Sequence, residues 1–135
     1  MTHMASQEYM LLMRGADWGK GLSPREAQDG LTAMMAWIDT LRQSGVLKAG
    51  QPLAPEGHVV SAGGGTLMDG PFVETKEAVG GYLLVEYPSL EDAKRAAMDC
   101  PVLKYGLVIE IRPVVPQCPL ADELSIDMAG IGSSQ

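Results

Sequence analysis

The chain has 135 residues, a length typical of a single domain with one hydrophobic core. Seventeen acidic residues outnumber ten basic ones, which gives a formal charge of -7 at pH 7. Because the basic residues are scattered, this composition argues against a surface that binds nucleic-acid phosphates. The apolar runs are far shorter than the roughly 18 residues of a membrane-spanning helix, and no signal peptide is recognisable, so the sequence predicts a cytoplasmic protein.

Cysteine and histidine are too few and too scattered to predict a metal centre. Cys100 and Cys118 are the only cysteines, and His3 and His58 are the only histidines. Because no CxxC pair or ligand cluster is present, we expect reduced thiols and neither a metal nor a cofactor. Residues 1–7 are predicted to be a tag or a disordered leader, since their His-Met-Ala-Ser segment looks like a cloning scar.

The first half of the chain predicts one strand and one long helix. Residues 8–14 are almost uniformly apolar, as in a strand that is covered on both faces. Ser23, Pro24 and Glu26 form a helix-start signal with a capping box, and Gly45 provides the stop. The expected apolar stripe of this helix comprises Ala27, Leu31, Met34, Met35, Ile38 and Leu41, and we place Trp37 at the edge of the core.

The second half predicts short strands around a second helix. Residues 46–61 indicate an irregular strand or two short strands, and the glycine-rich tip at 62–65 leads into a hairpin arm. A strand over 81–87, a helix that starts at Ser89 and ends at Pro101, and a strand over 106–114 follow. In the last strand Ile109 and Ile111 are expected on one face, and Val108, Glu110 and Arg112 on the other.

This order of elements predicts an α+β fold, the ferredoxin-like split βαβ arrangement with an inserted hairpin. Both helices are then expected on one face of an antiparallel sheet. Leu84 and Val108 would lie on the other face, and monomers seldom expose a large apolar patch, so we predict a twofold homodimer. The predicted domain covers residues 8–115, and residues 116–135 form a C-terminal extension with one or two helical turns.

One segment, MDGPFVETKEAVGGY at residues 68–82, has two interpretations. In the first it only shapes a hairpin, with Phe72 in the core and its charged residues in solvent. In the second the Asp69-Gly70 turn directs its polar side chains at a sheet face, where carboxylates beside Lys or Arg would have displaced pKa values. The candidate ligand-binding residues in this second interpretation are Asp69, Phe72, Glu74, Lys76, Tyr82, Glu110 and Arg112.

The run Asp69-Gly70-Pro71-Phe72-Val73-Glu74-Thr75-Lys76-Glu77, followed by Gly80-Gly81-Tyr82 and Glu110-Ile111-Arg112-Pro113-Val114, resembles the bacterial DGPF family of the YCII-related superfamily. The resemblance covers roughly residues 8–115. It implies a dimeric α/β barrel of ferredoxin-like subunits and an uncharacterised function, with an association with ECF-type sigma factors. Enzymatic relatives use a helix histidine with an aspartate. Met34 or a near neighbour stands at that position here, so a His-Asp mechanism does not carry over.

Three functions stay open from the sequence. The first is a homodimeric module that binds a small polar or anionic ligand, with Arg112 as its counter-ion. The second is a small metal-independent lyase or isomerase, with Asp69 or Glu74 as base and Lys76 or Arg112 stabilising negative charge. The third is a regulatory protein that binds a sigma factor without contacting nucleic acid itself.

Overall fold

The structure is a computed structural model, and it describes residues 6–60, 62–63, 66–69 (backbone only) and 78–126. In chain order the strands and helices are β1 Gln7–Arg14, α1 Pro24–Gln43, β2 Leu47–Pro52, β3 His58–Val60, β4 Thr66–Asp69, β5 Val79–Tyr87, α2 Leu90–Met98, β6 Val108–Pro113 and α3 Pro119–Glu123. A short 3-10 helix, Leu103–Tyr105, precedes β6. Among the described residues, no helix combines the length and the apolar character that crossing a membrane requires.

The main sheet has four antiparallel strands in the order β2-β5-β1-β6. The two central strands are thus β1 and β5, and each is followed along the chain by a helix. This architecture, with its three helices, is consistent with the predicted ferredoxin-like fold. The strands β3 and β4 form a separate two-stranded hairpin, as the breaker-rich sequence between residues 46 and 69 predicts.

The helices α1 and α2 pack on the sheet face that carries Leu11 and Val85, both fully buried. Alternation along the strands puts every second side chain there, which confirms the predicted division of β5 and β6 between two faces. Trp37 from α1 is buried in this core, and its indole N–H donates to the Ala96 carbonyl oxygen at 3.1 Å. That hydrogen bond joins the two helices above the sheet.

The opposite face of the sheet, which we call the open face, is covered by neither α1 nor α2. It carries Glu8, Met10, Leu12 and Arg14 from β1, Tyr82, Leu84 and Glu86 from β5, and Val108, Glu110 and Arg112 from β6. Met10, Leu12 and Leu84 are half-buried and adjoin one another across the strands. The open face thus has an apolar centre with charged residues around it.

Both predicted helix starts are confirmed by their caps. The Ser23 hydroxyl accepts a hydrogen bond from the Glu26 N–H, and the Glu26 carboxylate accepts one from the Ser23 N–H, so the capping box is complete. Ser89 caps α2 in the same way by accepting from the Asp92 N–H. These caps fix where each helix begins relative to the preceding strand, and hence which face of the helix meets the sheet.

Candidate functional site

A cleft of about 420 Å³ lies between α1 and the end of the sheet where β2 pairs with β5. Small-molecule sites are usually concave, mostly apolar and of this size. The lining comes from the loop after β1, from one side of α1 and from the ends of β2 and β5. The residues that line it are Met13, Ala16, Trp18, Leu31, Met34, Met35, Ile38, Arg42, Leu47, Gly50, Gln51, Pro52, Gly80, Gly81, Tyr82, Leu83 and Leu107.

Glycines form the part of the sheet that lies beneath this cleft. Gly50 is paired with Leu83, and a Cβ at Gly50 would lie only 2.7 Å from Leu83 Cδ2. A Cβ at Gly81 would lie 3.2 Å from the Gln51 carbonyl oxygen. Neither glycine therefore has a side chain that could extend from the sheet towards α1. The Leu83 side chain and the backbone of the paired strands lie close to these two glycines, so the sheet has low relief at the floor of the cleft.

Trp18 forms one wall of the cleft and is held in place from two sides. Its ring stacks on Tyr105, with the ring centroids 6.0 Å apart and the planes 17° from parallel. On its other side it packs against Gly30 of α1, where a Cβ would come within 2.8 Å of Trp18 Cζ3. The missing side chain at Gly30 is therefore what allows the edge of the indole six-membered ring to approach the helix.

The buried face of α1 is rotated about the helix axis relative to the apolar stripe that the sequence predicts. Trp37 and Leu41 are buried, whereas Leu31 is 52% and Met35 54% exposed. The stripe contained more apolar residues than the core accommodates, because the core side of the helix includes Gly30 and Trp37. The remainder of the stripe faces the cleft, which is why apolar side chains are exposed there.

Arg42 is the only charged residue among the described residues that line the cleft. Its guanidinium Nη1 lies 2.9 Å from Asp39 Oδ1, and both side chains are about half exposed. Gln51 and Tyr82 contribute further polar groups to the lining. The cleft is therefore an apolar chamber with one cation at its border, and that cation has a carboxylate partner that an anionic ligand would have to compete with.

The structure places three of the predicted binding residues on the open face. Arg112 Nη1 lies 3.2 Å from Glu110 Oε2, and Glu110 Oε1 lies 3.5 Å from Arg14 Nε. Tyr82 is two strands away from Glu110, because Leu12 of β1 pairs with both. Tyr82 borders the cleft, whereas Glu110 and Arg112 belong to a separate ion-pair cluster on β6.

The other predicted site residues lie largely outside the described residues. Asp69 ends β4, where its backbone pairs with His58, and its side chain is not described. Phe72, Glu74 and Lys76 lie wholly outside the described residues. The chain is described again from Ala78, and Gly80 borders the cleft.

The two cysteines differ in exposure. Cys100 is buried and Cys118 is exposed, and neither is in a disulfide. Burial raises the pKa of the Cys100 thiol, the largest cause being the loss of solvation of the thiolate. Within the described ranges there is no group of three or more His, Cys, Asp or Glu side chains placed to hold a metal ion.

Comparison with known proteins identifies the family of this chain. Residues 8–117 match the model of the YCII-related domain. The chain belongs to the YCII-related family. A similar solved structure is 5-chloro-2-hydroxyhydroquinone dehydrochlorinase from Burkholderia phenoliruptrix AC1100, in complex with 2,5-dihydroxybenzoquinone. It is 15% identical with a TM-score of 0.48, over 78% of this chain and 90% of that chain. No curated protein sequence matches the chain.

Tyr82 is the one predicted binding residue among the described residues that line the cleft, and Trp18 and Arg42 were not predicted. Trp18 was missed because its loop has no periodicity, and Arg42 because it occupies a typical position for a basic residue in the last turn of a helix. One signal was available. A glycine inside a strong helical pattern often marks a close approach of another group, and Gly30 is the residue that receives Trp18.

Proposed function

We propose that this YCII-related protein is a homodimeric module that binds a small molecule in the cleft between α1 and the sheet. The observation that carries the proposal is the cleft itself, about 420 Å³ of space with an apolar lining and one cation. Apolar side chains exposed to solvent on a helix, such as Leu31 and Met35, lower the free energy of a complex when a ligand covers them. We also assign the chain to the DGPF family, on its sequence signature.

The ligand that fits this lining has an apolar body, one flat face and one acidic group. Gly50 and Gly81 give the floor of the cleft low relief, and Trp18 lines one wall, which suits a ring. An acidic group at the edge of the ring would reach Arg42. In this proposal Arg42 replaces Arg112 as the counter-ion, because Arg42 lines the cleft whereas Arg112 lies on the open face.

A panel of small acids tests this proposal, with thermal shift as the readout. The probes are benzoate, cyclohexanecarboxylate, hexanoate and uncharged phenol. Of ligands that bind only the folded state, those that bind more tightly raise the melting temperature more at equal concentration, so the ring acids should give the largest shifts. The proposal fails if no probe stabilises the protein at millimolar concentration, or if phenol and hexanoate stabilise it as well as benzoate does.

Arg42→Gln and Arg25→Gln form a matched pair for the role of the charge. Both arginines lie on α1 in exposed ion pairs with an aspartate, Arg42 with Asp39 and Arg25 with Asp29, but only Arg42 lines the cleft. An exposed ion pair is worth up to about 1 kcal/mol, so Arg42→Gln should weaken benzoate about fivefold. Arg25→Gln should bind benzoate like the wild type, and phenol binding should not change in either variant.

The homodimer part of the proposal rests on the open face. Its centre is apolar. Among the described residues around that centre, three cations balance three carboxylates; these are Lys48, Arg14 and Arg112, and Glu8, Glu86 and Glu110. Lys48 pairs with Glu86 at 3.0 Å on one side, and Glu110 pairs with Arg14 and Arg112 on the other. In a chain with a net charge of -7, a neutral apolar surface is where a second copy meets least electrostatic repulsion. We propose that two open faces pack together as the dimeric α/β barrel.

A small enzyme is the second candidate, favoured by the position of Gly80 at the cleft border. The described lining supplies no carboxylate, so in this proposal Asp69 or Glu74 is the general base and Lys76 stabilises negative charge. The test uses ring ketones that bind in the cleft, dissolved in D2O. Abstraction of a C–H proton by the protein lets deuterium replace it, so the NMR signal of that proton is lost. Asp69→Asn or Glu74→Gln should abolish exchange and leave binding unchanged. Equal exchange in all variants, or none in the wild type, rejects catalysis of this type.

A further inference from the structure

The side chains of the open face form four rows that run across the strands, because residues paired between neighbouring antiparallel strands lie side by side. In order along β1, the rows are Glu8 with Glu86, Met10 with Leu84 and Arg112, Leu12 with Tyr82 and Glu110, and Arg14 with Val108. The two inner rows contain the apolar centre. The two outer rows are opposite in charge, since the first contains two carboxylates and the last contains one guanidinium. The open face therefore has an acidic end and a basic end.

Both outer rows contain a charge whose pairing within one copy is incomplete. Lys48 pairs with Glu86 at 3.0 Å, whereas Glu8 has no ion-pair partner among the described residues. At the other end Arg14 Nε lies 3.5 Å from Glu110 Oε1, and within the described part of the chain this nitrogen makes no hydrogen bond. The same carboxylate also binds a second arginine. Because a covered charge without an opposite partner is costly, a second copy that covers the open face must supply partners for Glu8 and Arg14.

The twofold symmetry of a homodimer limits how these rows can meet. When two sheets pack face to face in the aligned class, their strands lie within about 30° of each other and the twofold axis lies in the plane between them. An axis that runs along the strands brings each row against itself, so Glu8 and Arg14 would each meet the same residue of the second copy. An axis that runs across the strands reverses the order of the rows, so the acidic end of each copy meets the basic end of the other.

The second orientation places unlike charges together in both the outer and the inner rows. When the axis passes between the two inner rows, Glu8 meets Arg14 of the partner subunit. The inner rows then place Arg112 against Glu110 of the partner subunit and bring their apolar side chains together. Like charges placed together across an interface disfavour association, which argues against the first orientation.

We propose that two copies of the chain pack with their β1 strands antiparallel, so that Glu8 of each copy binds Arg14 of the partner subunit. This inference rests on the proposed homodimer and specifies its orientation and its ionic contacts. The Arg14 guanidinium donates and the Glu8 carboxylate accepts, which is a charge-assisted hydrogen bond. Because a twofold interface is self-complementary, the same ion pair forms twice.

Analytical ultracentrifugation of the full chain over a range of concentrations tests the ion pair. Glu8→Arg should raise the dimer dissociation constant at least about tenfold, because it places guanidinium groups against each other at two symmetric positions. The substitution also makes each copy less negative, so net charge alone predicts the opposite, a tighter dimer. Asp29→Arg makes the same change of charge at an exposed position of α1, beyond the other face of the sheet, and should leave the constant within about twofold of the wild type. Adding Arg14→Glu to Glu8→Arg places opposite charges together again and should lower the constant at least about fivefold.

Cross-linking measures the orientation of the two copies. Glu8→Cys and Arg14→Cys are made in a Cys118→Ser background, because Cys118 is exposed and the other native thiol, Cys100, is buried. Stacked sheets lie about 10 Å apart, so bis-maleimidoethane can join facing positions, whereas the two copies of residue 8 would lie about 20 Å apart along the strands. We expect a cross-linked dimer from a mixture of the two variants and none from either variant alone.

The outcomes separate this inference from the proposed homodimer. A wild-type chain that is monomeric at all concentrations overturns both. A wild-type dimer that Glu8→Arg does not weaken, or that Asp29→Arg weakens equally, overturns the antiparallel orientation alone. A Glu8→Cys variant that cross-links to itself does the same, because an axis along the strands brings the two copies of that residue together. A Glu8→Arg dimer that Arg14→Glu fails to tighten overturns the ion pair.

Discussion

Trp18 is the residue whose position determines the width of the cleft. The indole lies between Tyr105 on one side and the backbone of α1 on the other, and the contact with α1 exists only because residue 30 is glycine. A helix interior normally gains up to about 1 kcal/mol when glycine is replaced by alanine. At Gly30 that gain competes with a contact of 2.8 Å between the new Cβ and a rigid ring.

We predict that Gly30→Ala displaces the Trp18 ring towards the cleft and does not stabilise the protein. Overpacking of this kind costs about 1–3 kcal/mol, which cancels or exceeds the helix-propensity gain. Tryptophan fluorescence and chemical denaturation of the variant measure the two effects. Benzoate affinity should fall as well, because the displaced ring occupies part of the space beneath α1.

A double-mutant cycle with Trp18→Phe isolates the contact. Phenylalanine lacks the outer ring atoms that a Cβ at residue 30 would meet, so Gly30→Ala should be less destabilising in that background by about 0.5–3 kcal/mol. Ala33→Gly, at an exposed position of the same helix, should cost about 1 kcal/mol in either background. Additive effects of Gly30→Ala and Trp18→Phe would show that no strained contact exists.

Cysteine labelling is a second test at single residues. Cys118 is exposed, whereas Cys100 is buried and has a raised pKa. Since the thiolate is the reactive form, we predict that iodoacetamide modifies Cys118 readily at pH 8 and Cys100 only in denaturant. Mass spectrometry of the labelled peptides gives the answer, and equal labelling rates in the folded protein would contradict the described position of Cys100.

The start of α1 shows how well local signals predict an element. Ser23, Pro24 and Glu26 specify the first helical residue without reference to the rest of the chain, and the structure contains the complete capping box. The face of α1 that is buried could not be predicted in the same way. Periodicity identifies apolar positions, but which of them reach the core depends on the contact of Trp37 with α2 and on the space at Gly30.

Loss of the cap should destabilise the protein by a predictable amount. Ser23→Ala removes the hydroxyl that accepts from the Glu26 N–H, and such changes cost about 1 kcal/mol. Urea denaturation at pH 7 measures this difference. A Ser23→Ala variant as stable as the wild type would mean that the α1 cap contributes nothing to folding.

The same cap predicts a pH dependence. The Ser23 backbone N–H, and then its side chain, hold the pKa of Glu26 below its ordinary value of 4.5. A lowered pKa means that the carboxylate stabilises the fold fully above the ordinary value, and that this contribution is lost as the pH falls through the lowered one. The wild type should therefore lose more stability than Glu26→Gln between pH 6 and pH 3. Parallel losses in the two proteins would contradict the charged cap.

For the whole molecule, the order of elements was sufficient to predict the fold class. Two helix-start signals and the apolar strands predict the ferredoxin-like arrangement, and the observed sheet order β2-β5-β1-β6 is consistent with it. The match of residues 8–117 to the YCII-related domain confirms the broader family. The dimer and the role of the DGPF segment stay predictions, since neither a second copy nor residues 70–77 are described.

The cleft could not be predicted from the sequence because its parts are distant along the chain. Trp18, Arg42, Gly50 and Gly81 come from a loop, a helix and two strands, and only Gly81 belongs to a motif that the sequence analysis identified. The floor of the cleft has low relief because two sheet positions beneath α1 are glycine. Such a floor becomes visible only when the pairing of Gly50 with Leu83 is known.

The central claim is that a small ring acid binds between α1 and the sheet, and methionine methyl NMR tests it most directly. In protein labelled with [methyl-13C]methionine, titration with benzoate should shift the signals of Met34 and Met35 in a saturable manner, because both line the cleft. The signal of Met98, which is exposed on α2 away from the cleft, should not move. If benzoate and cyclohexanecarboxylate leave Met34 and Met35 unchanged, or shift Met98 equally, the cleft is not the binding site.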